Sequence, residues 1–84
     1  MTSKEEYDFL EKYCGKFVKI TTSERLVYGM IDGLESACDS DSGDTEIGVA
    51  YIGKRYGTDV LSKDIISIEL ITETECADKN EIML

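Results

Sequence analysis

The segment Arg25-Leu-Val-Tyr-Gly-Met-Ile-Asp-Gly-Leu-Glu35 has the pattern of one long strand with glycines in its interior. Apolar residues occupy both parities of this stretch: Leu26, Tyr28, Met30 and Leu34 on one, Val27 and Ile31 on the other. Both faces are therefore apolar enough to be buried. Gly29 and Gly33 interrupt the side chains where a strand in a small barrel has to coil sharply. The stretch predicts the bent central strand of such a barrel.

The strands on either side follow from the same two-residue period. A β-branched run precedes the central stretch, Ser23-Glu24 forms a tight turn between them, and glycine-rich or polar turns separate three further apolar runs. We predict five strands, at 16–22, 25–35, 47–52, 58–61 and 65–71. Residues 72–84 lose this periodicity and are acidic, so we expect a tail outside a domain of residues 1–71.

A short amphipathic helix is predicted over residues 3–14. Ser3 and Glu6 have the spacing of a capping box, and Gly15 supplies the left-handed residue that ends a helix. The apolar residues Phe9, Leu10, Tyr13 and Cys14 recur at helical spacing. A helix of about three turns does not persist alone, so this stripe must dock, and we expect it at an open end of the barrel.

The composition excludes several classes of function. With 9 Lys and Arg against 18 Asp and Glu among 84 residues, the net charge of −9 disfavours nonspecific binding to DNA or to anionic lipid. The chain contains no histidine, the commonest general acid or base and a common metal ligand. We therefore expect no catalytic activity, no cofactor and no metal.

Three cysteines, Cys14, Cys38 and Cys76, are widely spaced and form no C-x-x-C pair. They indicate neither a disulfide framework nor a zinc site, and we interpret them as incidental, with Cys38 and Cys76 exposed. The polar start of the chain is unlike a signal peptide, and no apolar run approaches the roughly 20 residues of a membrane span. These features predict a cytoplasmic protein that does not enter a membrane.

Three motifs resemble those of the Sm-like family. Gly15-Lys16-Phe17-Val18 resembles the family's G-K-x-V opening of the first strand, and Val60-Leu-Ser-Lys-Asp-Ile-Ile-Ser-Ile68 resembles its final strand pair in bacterial Sm-like RNA chaperones. Arg25 with Tyr28-Gly29 resembles the family's R-x-aromatic-x-G, one residue tighter. The resemblance implies a strongly bent antiparallel Sm-like or SH3-type barrel behind an N-terminal helix.

The resemblance also implies assembly and a ligand. Family members form rings in which the fourth strand of one subunit adds to the fifth of the next, here a ring of roughly five to seven subunits. The corresponding interface residues are Val60, Leu61, Ile66 and Ile68. Members hold single-stranded RNA by the loop after the second strand and by the turn between the fourth and fifth. In those places this chain has Asp39, whose charge repels phosphate, and Lys63.

The basic pair Lys54-Arg55 with Tyr56 is a second candidate for RNA, as a phosphate-contacting and stacking tip. The alternative is a solvated hairpin end with a packed tyrosine, which the surrounding acidity favours. Asp39-Ser-Asp-Ser-Gly-Asp44 suggests a cation loop, but its register does not fit an EF-hand, and a solvated loop is the simpler interpretation. Asp32 and Glu35, three apart on a strand, should point to opposite faces.

These observations favour a non-catalytic, homo-oligomerising interaction module whose acidic surface binds a basic protein partner. The alternative is a divergent RNA-binding ring that uses Lys54, Arg55, Tyr56 and Lys63. An enzyme would need a base other than histidine.

Overall fold

The computed structural model describes residues 3–38 and 43–83, and the side chains of these except at positions 3, 4 and 83. In chain order the elements are α1 (Ser3–Glu11), β1 (Phe17–Thr22), β2 (Leu26–Glu35), β3 (Glu46–Ala50), β4 (Gly57–Leu61), a 3-10 turn (Ser62–Asp64), β5 (Ile65–Leu70) and α2 (Glu73–Met83). The predicted N-terminal helix and five strands are present. Within the described ranges, no helix has the length and apolar character needed to cross a membrane.

The strands form one antiparallel sheet in the order β4-β3-β2-β1-β5, and the sheet is not closed. β2 divides its length between two neighbours, pairing with β1 from Leu26 to Met30 and with β3 from Met30 to Glu35. Met30 is opposite Phe17 on one side and Ala50 on the other. This division makes β2 the central strand, as its sequence predicts.

Gly29 lies where β2 passes from one neighbour to the other. A Cβ at this position would lie 2.5 Å from Val49 Cγ1 and 2.6 Å from the Ala50 carbonyl oxygen, so only glycine fits. Three residues after Gly29, the pairing with β3 shifts between Ile31 and Gly33 and leaves Asp32 as the extra residue of a bulge. Gly29 is thus required by the close approach of β3, whereas Gly33 directly follows a bulge.

One layer of apolar side chains fills the inner face of the sheet. Alternate residues of β1 and β3 are buried, and α1 adds Leu10 at 3% exposure. The cluster comprises Leu10, Val18, Ile20, Val27, Ile31, Ile47, Val49 and Val60. α1 ends at Glu11, before the predicted residue 14, and Gly15 has the left-handed φ of 79°. The Glu6 carboxylate accepts a hydrogen bond from the Ser62 hydroxyl, while the capping partner Ser3 lies outside the described side chains.

The expectation of an acidic tail is wrong for most of residues 72–84. Glu73–Met83 form α2, which packs on β2 and β1 on the face opposite the core. The Thr72 hydroxyl accepts a hydrogen bond from the Glu75 N–H at 3.1 Å and caps the first turn. Thr72 and Glu75 have the T-x-x-E spacing of a capping box, which is the sequence signal for this helix.

Asn80 of α2 continues the hydrogen bonding of the sheet where β2 and β3 separate. Because Met30 is opposite Ala50, the same register would place Tyr28 opposite Ile52. The Asn80 amide lies between them: its Nδ2 donates to the Tyr28 carbonyl and its Oδ1 accepts from the Ile52 N–H, both at 2.7 Å. A side-chain amide therefore replaces one rung of the ladder. Because both ends of the amide are hydrogen-bonded, Asn80 can be buried to 2% exposure without leaving a polar group unpaired.

Candidate functional site

The outer face of β2, β3 and β4 carries a groove with a floor of small residues. Gly48 is opposite Gly33 on one side and Asp59 on the other. Its neighbours Ile47 and Val49 point into the core, so the Gly48 position faces outward. Two adjoining depressions of about 370 and 330 Å³ share Gly48 and Asp59. We call this surface, lined by Asp32, Gly33, Glu35, Glu46, Gly48 and Asp59, the acidic groove.

Carboxylates on three strands surround this floor. A Cβ at Gly48 would be 3.1 Å from Asp32 Oδ1, which places the Asp32 side chain over the outer face. Glu35 is directly opposite Glu46 and shares that face. The expectation that Asp32 and Glu35 point to opposite faces is wrong, because the bulge at Asp32 resets the alternation of side chains.

The basic tip predicted to contact RNA lies at one end of this groove. Lys54, Arg55 and Tyr56 line the same depression as Asp32 and Asp59. The Tyr56 ring, on a residue that is 56% exposed, packs edge to face against Tyr51 with centroids 5.7 Å apart. Tyr56 is thus packed against Tyr51 and still accessible to solvent. Lys54 and Arg55 lie in the same depression as the carboxylates of Asp32 and Asp59.

Lys63, which was also predicted to bind RNA, lies away from this tip. Lys63 follows β4, whereas the tip precedes it, so about 17 Å of five-residue strand separates them. Lys63 Nζ lies 3.6 Å from Asp44 Oδ2, in an ion pair. Asp39 and the cation loop's residues 39–42 lie outside the described residues. The structure does not bring the tip and Lys63 into one site.

Among the residues predicted to form a subunit interface, Val60 points into the core at 2% exposure, because alternation along β4 places it opposite Ile47. Its side chain is not available to a partner. Leu61 and Ile68 are half-buried, and Ile66 is 69% exposed. β4 and β5 are the two edge strands of the sheet. Beside β5, a groove of about 410 Å³ runs along α1, lined mainly by Phe9, Leu10, Ile65, Ile66 and Ile68.

Two of the three cysteines differ from expectation in their exposure. Cys76 of α2 is fully buried and Cys14 is exposed, whereas Cys38 is exposed as predicted. Burial, and secondarily the charge of Glu75, raises the pKa of the Cys76 thiol. Partial burial of the Cys14 thiol, and secondarily the charge of Glu11, raises the pKa of Cys14 in the same direction. In the described part of the chain, no group of three Cys, Asp or Glu is placed to hold a metal ion.

Comparisons with known protein families, with curated proteins and with solved structures found no match to this chain. The candidate functional site is therefore defined by the geometry of the structure. Its components are the acidic groove with its basic tip, the apolar groove between α1 and β5, and the two sheet edges. Each offers surface for binding by charge, by apolar contact or by strand pairing.

Proposed function

We propose that this protein is a non-catalytic, homo-oligomerising interaction module of the Sm-like or SH3-type kind, which binds a basic protein partner. The acidic groove is the observation that carries the proposal. Its floor is open above Gly33, where a second backbone can approach the sheet closely, and Asp32, whose Oδ1 lies near Gly48, supplies charge beside that path together with Glu35 and Asp59. An extended segment with Lys or Arg side chains fits both features.

The whole-chain charge supports the same partner. A net charge of −9 attracts a basic segment from a distance and raises its association rate, and this attraction weakens as salt is added. The basic tip lies at one end of the groove and therefore favours one orientation of a bound segment. The carboxylates favour cationic side chains along the floor, whereas Lys54 and Arg55 favour an acidic or polar residue at that end.

The curvature of the sheet supports the proposal of a strongly bent Sm-like or SH3-type barrel. Arg25, at the start of β2, donates hydrogen bonds from Nη1 to Thr58 Oγ1 and from Nη2 to the Asp59 carbonyl, both at 3.0 Å. β4 is two places away from β2 in the sheet, so a side chain spans them only when the sheet curls strongly. The open edges then favour self-association.

The groove is tested with an extended peptide of alternating lysine and alanine, measured by titration calorimetry. We expect Asp32→Asn with Glu35→Gln to weaken binding by about tenfold, because each of the two lost charge contacts contributes about 0.7 kcal/mol. Asp78→Asn with Glu81→Gln, which removes the same charge from exposed positions of α2, is the matched control. Equal losses in the two double variants would show that only net charge matters, and would refute the groove.

A second candidate, a divergent RNA-binding ring, rests on the accessible Tyr56 beside Lys54 and Arg55. Short single-stranded RNA, followed by fluorescence anisotropy, tests it. Binding should fall steeply with salt and should be lost in the variant Lys54→Glu with Arg55→Glu. Unchanged affinity in this variant would exclude the tip, and a loss confined to Lys63→Glu would move the site to the other end of β4.

A further inference from the structure

The backbone of β4 shows which of its groups face outward. The Tyr51 N–H donates to the Tyr56 carbonyl and the Ser62 N–H to the Thr45 carbonyl, in the register of β3 with β4. In an antiparallel pair, hydrogen-bonded residues alternate with residues whose N–H and C=O point away from the partner. Asp59, opposite Gly48, belongs to the second kind. Its backbone groups therefore point to the outer edge of the sheet.

Arg25 occupies this edge. The turn before it is held by Thr22, whose Oγ1 accepts from the Arg25 N–H and donates to the Arg25 carbonyl, both at 3.0 Å. From there Nη2 of Arg25 donates to the outward carbonyl of Asp59, and Nη1 donates to Thr58 Oγ1. An incoming strand would have to displace the guanidinium to pair with β4. Arg25 therefore blocks the outer edge of β4 against pairing with another strand.

The edge of β5 differs from that of β4. Its pairing with β1 has a bulge at Ile66, because Thr21 is opposite Ser67 and Thr22 is opposite Ile65, and the pairing is regular from Ser67 to Leu70. The Ile71 N–H donates to the Phe17 carbonyl, so the alternate residues Ile68 and Leu70 turn their backbone groups away from β1 and toward the outer edge. Ile66 and Leu70 are 69% and 60% exposed. Large apolar side chains beside outward backbone donors and acceptors are the features that strand addition uses.

We propose that β5 pairs antiparallel with β5 of a second copy of this chain, about a two-fold axis at Ile68. The inference rests on the self-association proposed above and specifies its edge and stoichiometry. With Ile68 opposite its own counterpart, Leu70 lies beside the bulged Ile66 of the partner subunit, so both exposed residues become covered. Glu69 lies opposite Ser67 of the partner subunit, so like charges do not meet.

Charge selects this register over its neighbour. A shift of two residues keeps outward backbone groups opposite each other, but it places Glu69 directly opposite Glu69 of the partner subunit, which is unfavourable. Both copies also carry a net charge of −9, so their repulsion opposes pairing at low salt. The pairing should therefore strengthen as salt is added, in contrast to the binding of a basic peptide.

The test is the solution mass of the full chain by light scattering or sedimentation equilibrium, at several concentrations and at two salt concentrations. We expect two subunits. Ile66→Glu with Leu70→Glu should raise the dimer dissociation constant at least about tenfold, since it places charges in the covered strand pair. Ile82→Glu, at a position 79% exposed on α2, is the control and should stay dimeric. Circular dichroism establishes that each variant is folded.

Each of the other outcomes would contradict a specific part of the proposal. A mass of roughly five to seven subunits would overturn the two-fold pairing and retain the proposed self-association, whereas a monomer at all concentrations would overturn both. A dimer that survives the double variant would show that another surface pairs. Arg25→Met, which removes the guanidinium from β4, should produce assemblies larger than two, and Arg55→Met should not; identical masses would refute the blocking role of Arg25.

Discussion

Replacement of Asn80 by alanine should destabilise this protein far more than its position near the end of the chain suggests. The Asn80 amide provides the partner for the Tyr28 carbonyl and for the Ile52 N–H, each at 2.7 Å. Its Oδ1 also lies 3.8 Å from the Cys76 thiol. Alanine removes these contacts and leaves two backbone groups of the sheet unpaired beneath α2.

The magnitude follows from the burial of those two groups. Leaving a buried donor or acceptor without a partner costs about 1–3 kcal/mol. Tyr28 is buried, whereas Ile52 is half-buried and water can replace part of its bond, so we expect a loss of about 3 kcal/mol. A chain of 84 residues has a free energy of unfolding of about 4–13 kcal/mol. One amide near the end of the chain therefore accounts for a large share of the total.

Urea unfolding followed by circular dichroism measures this loss. The midpoint should fall by about 2–3 M at an unchanged slope near 1 kcal/mol/M. Glu81→Ala, the exposed neighbour on the same helix, is the matched control and should change stability by less than about 0.5 kcal/mol. Hydrogen exchange supplies a site-specific readout, because the Ile52 amide should lose its protection in the Asn80 variant.

A free energy of unfolding within about 0.5 kcal/mol of the wild-type value in Asn80→Ala would contradict this prediction. It would show that β2 and β3 do not depend on the inserted amide. Loss of stability without loss of protection at Ile52 would contradict the ladder argument in a different way, since the destabilisation would then come from packing of α2 alone.

Two further predictions concern the strand crossing and the buried thiol. Gly29→Ala should cost about 1–3 kcal/mol in the same unfolding assay, because its methyl would meet Val49 Cγ1 at 2.5 Å, whereas Gly33→Ala, with open space around it, should be much milder. Burial raises the pKa of Cys76 above its ordinary 9.0, so the folded state keeps a proton that the unfolded chain releases. Stability should therefore decline as pH rises through and beyond that value, and the decline should be smaller in Cys76→Ala; parallel pH profiles would contradict this assignment.

Much of the fold could be predicted because apolar periodicity and glycine placement act locally. The two-residue period of β1 and the left-handed Gly15 each predict their element from neighbouring residues. The face assignment of Asp32 and Glu35 failed for an equally clear reason. A bulge is decided by how β2 pairs with β3, so no count of residues along one strand can reveal it.

The C-terminal helix was missed because its buried face is not apolar. The two residues of α2 that are most buried, Cys76 and Asn80, are spaced at one helical turn, and an asparagine there gives no hydrophobic period. The T-x-x-E capping box of Thr72 and Glu75 was the available local signal. The acidic groove was missed for a related reason, since its members come from three strands whose register the sequence does not state.

Local spacing and composition are enough to predict the long central strand, the N-terminal helix, the number of strands and the acidic character of the surface. Three features arise only in the folded chain: which residues share a face after the bulge, which edge Arg25 covers, and where Asn80 replaces a rung of the ladder. All three depend on contacts between residues more than 10 positions apart along the chain. The physical reason is that polar groups find partners in space, and those partners exist only once the sheet has curled.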